Sequence, residues 1–115
     1  MVELDRVYRA LAAEERRLAL ACLDHHRQLT LPDLAELVVE CQHDTDVTAL
    51  SGEQLRDTYF RLYHTHIPIL EECGLVTYSQ EADLVAATDR LQTALTSVAE
   101  NVERLQSFPT DSIGD

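Results

Sequence analysis

The sequence predicts a single, mainly α-helical domain that carries one small β-hairpin near its C-terminal end. Apolar residues recur at helical steps of three and four through most of the 115 residues. Two short apolar runs, residues 75–79 and 83–88, flank a polar stretch in the manner of a hairpin. With 45% hydrophobic residues, three Gly and three Pro, a chain of this length forms one domain with a modest core.

The first half of the chain is predicted to form three helices and a surface loop. The first helix covers residues 3–12, the second begins at Glu14, and the third begins at Pro32, which suits the first turn of a helix. Residues 29–31 form a candidate short strand. The apolar stripes of the first and third helices are Leu4, Val7, Tyr8 and Leu11, and Leu34, Ala35 and Val38. Residues 41–52 are polar and lack a period, which predicts the loop.

The second half is predicted to begin with a long helix over residues 53–73. Ser51, with Gln three residues later, forms a capping-box pattern ahead of it, and Gly74 ends it. The inner stripe of this helix consists of Leu55, Tyr59, Leu62, His66, Leu70 and Cys73. Because Pro68 removes one helical hydrogen bond, we expect a kink near residues 64–67.

A last helix starts at Thr88 and Asp89, after the hairpin. Its apolar residues recur at alternating steps of four and three, typical of helix-on-helix packing, and are Leu91, Leu95, Val98, Val102 and Leu105. Five apolar residues in this seam are more than a peripheral helix of a monomer needs for packing. We therefore expect the last helix to join two chains in a homodimer. The alternative is packing on the first helix of the same chain. The predicted domain covers residues 1–88, the dimerisation helix residues 89–107 and a flexible tail residues 108–115.

This order of elements is that of a winged helix-turn-helix domain, whose helix before the hairpin enters the major groove. Three segments also resemble ArsR-type repressors. Residues 10–23 (ALAAEERRLALACL) resemble that family's A-L-A-D-P-x-R-x-x-I-L, residues 29–38 (LTLPDLAELV) its L-T-V-S-E-L-A-E-x-L, and residues 62–79 (LYHTHIPILEECGLVTYS) its recognition helix and wing. The chain looks most like a small haloarchaeal winged-helix family of largely unassigned function. The resemblance implies a dimeric, DNA-binding transcriptional regulator, usually a repressor.

Net charge sets the conditions in which such a protein works. The chain has 21 acidic residues against nine basic ones, a formal net charge of −12, and every basic residue is Arg. Acids spread along an apolar-rich chain predict the surface of a halophilic protein, not a disordered tail. Duplex DNA repels this chain, and the predicted wing tip, residues 80–83, carries two acids. In molar salt we therefore expect base contacts and bridging cations to supply affinity. Arg16 and Arg17 suit either phosphate contacts or a solvated face.

The outer face of the long helix supplies the candidate contacts with double-stranded DNA. Rotation of 100° per residue places there, or on its flanks, the predicted DNA-binding residues Arg56, Thr58, Arg61, His64 and Thr65. Arg61 is the best candidate, because its guanidinium can bind guanine or a phosphate through two hydrogen bonds. The alternative is that Arg61 forms an ion pair with Asp57 on the same helix. In the ArsR-type resemblance, His64 and Thr65 occupy the positions that match the family's DNA-facing Ser and its neighbour. His66 lies on the inner stripe, so we expect a hydrogen-bonded core residue.

Other classes of function find little support in the sequence. No P-loop, nucleophile elbow, dinucleotide fingerprint or metalloprotease motif is present, so we expect neither an enzyme nor a cofactor. Cys22, Cys41 and Cys73 lack zinc-module spacing, which predicts reduced thiols and no metal site. The sequence shows neither a long apolar run nor a signal-peptide pattern, which predicts a cytoplasmic protein. The remaining alternative is a protein-interaction module that keeps the winged fold without DNA affinity. The sequence names no effector and no target genes.

Overall fold

The computed structural model describes residues 3–44 and 51–107, which form helices around a small antiparallel sheet. The elements, in order, are α1 (Leu4–Leu11), α2 (Glu14–His26), β1 (Gln28–Thr30), α3 (Leu31–His43), α4 (Gly52–Arg61), a π-helical turn (Leu62–His66), α5 (Ile67–Glu72), β2 (Val76–Ser79), β3 (Leu84–Ala87) and α6 (Asp89–Gln106). The mainly helical class predicted from the sequence is confirmed. Residues 45–50 of the predicted loop and the predicted tail, residues 108–115, lie outside the described residues.

The sheet of the described region contains three strands in the order β1-β3-β2, and both pairings are antiparallel. β2 and β3 pair with Val76 opposite Ala87, which is the predicted hairpin. β1 lies along the other edge of β3, with Leu29 opposite Val85. The predicted two-stranded hairpin is therefore present, but the prediction did not include its pairing with β1. A strand of three residues whose partner lies far along the chain leaves no local pattern that would reveal the pairing.

Local capping signals set the starts of three helices. Thr30 caps α3 and Thr88 caps α6, each by accepting a hydrogen bond from a backbone N–H of the first turn. Ser51 Oγ accepts from the Gln54 amide at 3.1 Å, and Gln54 Oε1 accepts from the Ser51 amide at 3.0 Å. This reciprocal pair is the capping box that the sequence predicted. Gly74, with φ +77°, follows α5 in the left-handed region, as expected of a residue that ends a helix.

α3 is longer than its sequence pattern indicates. It continues through His43, so the first residues of the predicted 41–52 loop are helical. In the last turn, Gln42 Nε2 donates a hydrogen bond to Glu14 Oε1 on α2 at 3.0 Å. This contact with a neighbouring helix offsets the polar composition that favoured a loop.

The break expected near Pro68 is present as a π-helical turn and not as a bent α-helix. The N–H of Ile67 bonds the carbonyl of Leu62, five residues earlier, and α5 begins at Ile67. Pro68 therefore occupies the first turn of a new helix, where its missing N–H is tolerated. Residues on both sides of the proline remain buried across this wider turn, including Leu62 before it and Leu70 after it.

The core lies between α2, α3, the sheet and the segment from α4 to α5. Its largest fully buried side chains are Leu20, Leu23, Leu31, Leu34, Leu62, Ile67, Leu70, Leu75 and Leu91. Each stabilises the fold by about 1.5–3 kcal/mol relative to an exposed position. None of the described helices combines the length and the apolar composition that crossing a bilayer requires.

Candidate functional site

The segment of residues 52–72, called the ridge below, comprises α4, the π-helical turn and α5. Of the predicted inner stripe, four residues are buried and two are only partly buried: the buried ones are Leu62, His66, Leu70 and Cys73, and the partly buried ones are Leu55 and Tyr59. Of the predicted DNA-binding residues, Arg56, His64 and Thr65 are exposed. Thr58 is only 2% exposed, so the expectation that it flanks the outer face is wrong. Its hydroxyl accepts a hydrogen bond from Arg61 at 3.2 Å, which explains how a polar side chain is tolerated there.

Arg61 is held by a carboxylate of α2. Its Nε donates to Glu15 Oε1 at 2.9 Å and its Nη2 to Glu15 Oε2 at 2.8 Å, a two-bond ion pair between residues 46 positions apart. These hydrogen bonds raise the pKa of Arg61 and hold the pKa of Glu15 below its ordinary value. The alternative ion pair with Asp57 is not the one formed. The Arg61 side chain is still 52% exposed, whereas that of Glu15 is 9% exposed.

His66 shares Glu15 with Arg61 and is a buried, hydrogen-bonded residue, as expected. Arg16 Nη1 lies 3.1 Å from His66 Nδ1. Because arginine can only donate, Nδ1 accepts, and Nε2–H donates to Glu15 Oε1 at 3.1 Å. Burial lowers the pKa of His66 in spite of the neighbouring carboxylate. The imidazole is therefore neutral near pH 7.

Arg16 is buried and ties the same group to α1. Its Nε donates to the carbonyl of Ala10 at 3.1 Å and its Nη2 to that of Arg9 at 3.0 Å, at the end of α1. Neither expectation for Arg16, a phosphate contact or a solvated face, fits this position. Glu15, Arg16, Arg61 and His66 are called the charged cluster below. Composition alone gave no signal for it, because its members come from two distant segments.

Aromatic side chains of the ridge form two parallel pairs. The rings of Tyr59 and Tyr63 lie at 8° with centroids 6.4 Å apart, and those of Phe60 and His64 at 12° and 5.8 Å. Tyr78 of β2 meets Tyr63 nearly at right angles, at 87° and 6.0 Å. These rings surround a cleft of about 350 Å³, called the aromatic cleft below. Its principal lining residues are Tyr59, Phe60, Tyr63, His64, Tyr78 and Asp83.

Asp83 closes the aromatic cleft from the hairpin turn, where it adopts a positive φ of 51°. Tyr59 donates its hydroxyl to Asp83 Oδ2 at 3.1 Å, and Tyr78 donates its hydroxyl to Oδ1. Burial and these bonds raise the pKa of both phenols, so both are neutral donors over the usual pH range. Gln80 Nε2 donates to the Tyr63 hydroxyl at 3.1 Å. The hairpin is thus fastened to the ridge, and the two form one continuous surface.

The predicted dimerisation residues on α6 fall into two groups. Leu91 is buried, and Leu95 and Val98 are partly buried against the core of their own chain. Val102 and Leu105 are exposed, Leu105 to 69%. α6 also contacts α1 of its own chain, as the alternative prediction required, with Asn101 Nδ2 donating to the Tyr8 hydroxyl at 2.7 Å.

Within the part of the chain that the structure describes, no group of three or more His, Cys, Asp or Glu lies close enough to hold a metal ion. Cys22 is partly buried, and burial raises its pKa to about 11, which keeps the thiol protonated and unreactive. Cys73 is buried and donates to the carbonyl of Arg6.

Residues 8–86 match a family described as a domain of unknown function, DUF7344. The matched range runs from α1 to β3 and includes every residue of the charged cluster and the aromatic cleft, whereas α6 lies beyond it. No curated protein and no solved structure matches the chain. Because the match covers well over half of its residues, this protein belongs to the DUF7344 family.

Proposed function

We propose that this protein is a sequence-specific DNA-binding transcriptional regulator with a winged helix-turn-helix fold. By the ArsR-type resemblance it is a repressor, and by its charge it works in the concentrated salt of a haloarchaeal cytoplasm. The observation that supports this most is the exposed ridge fastened beside the hairpin. A ridge and a wing on one surface have the arrangement in which a helix enters the major groove and the hairpin lies along the duplex.

In this proposal Arg56 is the principal base-reading residue. It is exposed, and no hydrogen bond or ion pair engages its guanidinium within the described residues. His64 and Thr65, which are also exposed on the ridge, complete the proposed contacts. Arg61 holds the ridge on α2 through Glu15 and uses its exposed part for a phosphate. The proposal thus keeps Arg61 as a contact and moves the bidentate reading of guanine to Arg56.

A titration of labelled duplex DNA tests this function. The DNA is recovered by immunoprecipitation of the protein from its host, and binding is followed by fluorescence anisotropy from 0.1 to 2 M KCl. We expect Arg56→Ala to weaken binding about 10-fold. Arg6→Ala, which removes the same charge from an exposed position on α1, is the matched control and should change binding less than about 2-fold. Affinity confined to salt below about 0.2 M would contradict the halophilic part of the proposal.

The proposed regulator is a homodimer joined through α6. Val102 and Leu105 offer exposed apolar surface there, and Leu4 and Tyr8 offer more on α1. Dimerisation removes such surface from water, and two ridges related by a two-fold axis match palindromic half-sites. Leu105→Asp should convert the dimer to a monomer in light scattering, whereas Gln106→Asp, on an exposed neighbouring position, should not. A monomeric wild-type protein would contradict this interface.

The second candidate function is a protein-interaction module on the same fold. Two observations favour it: the hairpin turn carries Glu81 and Asp83, and the guanidinium of Arg61 is engaged by Glu15. This candidate predicts that immunoprecipitation enriches no DNA sequence and that Arg56→Ala leaves behaviour in the cell unchanged. Either enriched DNA or loss of its binding on substitution of Arg56 would exclude it.

A further inference from the structure

We propose that the aromatic cleft binds a small organic cation that carries a quaternary, methylated ammonium group. Its binding is measured on the free protein, so the inference does not depend on the proposed DNA-binding function. Three features carry it: rings that meet at right angles, a carboxylate whose partners in the described part of the chain are neutral phenols, and an opening to solvent.

The rings of the aromatic cleft form adjoining walls. Tyr63 is inclined by 87° to Tyr78 and by 82° to His64, whose ring centroid lies 4.8 Å away. A planar ligand can stack on only one such wall, whereas a rounded trimethylammonium group contacts several at once. Each aromatic face attracts a cation electrostatically, by about 0.5 kcal/mol when exposed and about 2 kcal/mol when desolvated. The wall geometry therefore favours a compact cation over a flat heterocycle.

The carboxylate of Asp83 sets the sign of the ligand's charge. Its side-chain partners within residues 3–44 and 51–107 are neutral phenols, so the hydrogen bonds orient the carboxylate without cancelling its charge. Among the described residues, the lining of the aromatic cleft includes no Arg. An anionic ligand such as a nucleotide meets repulsion here, and the formal net charge of −12 raises the local concentration of cations. Alkali cations are held by their hydration shells, whereas a methylated ammonium group is weakly hydrated and gains from the rings.

The aromatic cleft is open to a ligand of this size. Phe60 is 50% exposed and His64 is also exposed, so a cation can enter from solvent without displacing a core side chain. A cleft of about 350 Å³ is at the lower end of the range for small-molecule sites. Phe60 and His64 also belong to the outer face of the ridge, so a bound cation would alter the surface offered to any partner of that face.

Choline is the test ligand, and its neutral isostere 3,3-dimethylbutan-1-ol is the comparison. Each is titrated into the full-length wild-type protein, with KCl adjusted to hold ionic strength constant. Backbone amide NMR shifts of Tyr63, Tyr78 and Gln80 report binding at the aromatic cleft. We expect saturable binding of choline there and at least about 10-fold weaker binding of the alcohol. Equal affinities would show an apolar pocket and overturn the proposal, as would unsaturable choline shifts.

Variants locate the binding. Tyr63→Leu keeps apolar volume but removes one ring, and Asp83→Asn removes the charge while Asn tolerates the positive φ. We expect each to weaken choline binding by about 3- to 30-fold. Tyr8→Leu, on a partly exposed tyrosine of α1, is the matched control and should leave binding unchanged.

Phe60→Leu, at a half-exposed position, repeats the ring deletion if Tyr63→Leu does not fold. Choline affinity that is unaffected by ring deletion and by Asp83→Asn would overturn the proposal.

Discussion

Two carboxylates that contact the ridge show how hydrogen-bond partners decide what an acidic side chain can do. Glu15 accepts hydrogen bonds from Arg61 and His66 beneath the ridge, and Asp83 accepts them from Tyr59 and Tyr78. The arginine neutralises Glu15, so the charged cluster holds α2 to the ridge. Neutral phenols leave the charge of Asp83 intact, in a cleft that solvent reaches. The first carboxylate is therefore structural, and the second can attract a ligand.

Of the substitutions that test this comparison, Glu15→Gln is expected to have the largest effect on stability. An amide cannot neutralise Arg61, and it leaves the hydrogen bonds of His66 and Arg61 weakened in a mostly buried setting. We expect a loss of about 2 kcal/mol in the free energy of unfolding, below the range for a fully buried pair because Arg61 is half-exposed. Urea denaturation measures it. Glu14→Gln, on the exposed neighbour, should change stability by less than about 0.5 kcal/mol, and equal losses would contradict the structural role of Glu15.

The next largest effect on stability should distinguish the two arginines of α4. Arg61→Ala removes the two-bond ion pair with Glu15 and should reduce the free energy of unfolding by about 1 kcal/mol. Arg56→Ala removes an exposed guanidinium that has no ion-pair partner among the residues that the structure describes, and it should stay within about 0.5 kcal/mol of the wild type. The same denaturant series gives both values. A larger loss for Arg56→Ala would reverse the roles assigned to the two side chains.

A smaller, pH-dependent effect should arise from His66. Its pKa is lowered in the folded protein, so the unfolded chain takes up a proton first as the pH falls. Stability is therefore fully present above the ordinary histidine value of 6.5 and declines as the pH falls through the lowered value. Glu15, whose pKa is also lowered, adds a second loss below its ordinary value of 4.5.

Stability of the wild type and His66→Gln, measured by urea denaturation from pH 8 to 5, checks this. The variant should lack the upper part of the decline, whereas His64→Gln, at an exposed position, should keep it. Parallel profiles for wild type and His66→Gln would count against a neutral, buried imidazole.

The smallest change in stability, about 0.5 kcal/mol, is expected from Asp83→Asn, because the amide oxygen still accepts a hydrogen bond and Asn tolerates the turn. Its effect on ionisation is distinct. The raised pKa of Tyr59 and of Tyr78 should fall toward the ordinary value of 10 once the carboxylate is removed. Absorbance of tyrosinate at alkaline pH measures this shift, and Glu81→Gln in the same turn should leave it unchanged.

Features governed by near neighbours in the chain could be predicted from the sequence. The capping box at Ser51, the helix end at Gly74 and the break before Pro68 each depend on residues within a few positions. The partner of Arg61 could not be predicted in this way. The local candidate was Asp57, but Glu15 lies in reach only after the fold brings α2 to the end of α4.

The aromatic cleft lies between these two cases. The i, i+4 spacing of Tyr59 with Tyr63, and of Phe60 with His64, is visible in the sequence. Tyr78 and Asp83 join them only because the hairpin folds against the ridge, with Asp83 in a positive-φ turn. The part of the cleft that supplies its charge, Asp83 with Tyr78, could therefore not be predicted from the sequence.

The π-helical turn at Leu62–His66 allows the ridge to hold one residue more than a continuous α-helix without losing its phase. Such a turn widens to take in the extra residue, so each of its residues rotates the chain by less than the ordinary value of about 100°. Deletion of a single residue that restores an ordinary turn there would therefore leave α5 and the hairpin close to their present orientation. A deletion within α4 would instead rotate the residues before it by about 100° relative to α5. The ridge should accordingly tolerate a one-residue deletion in the π-helical turn better than one in α4.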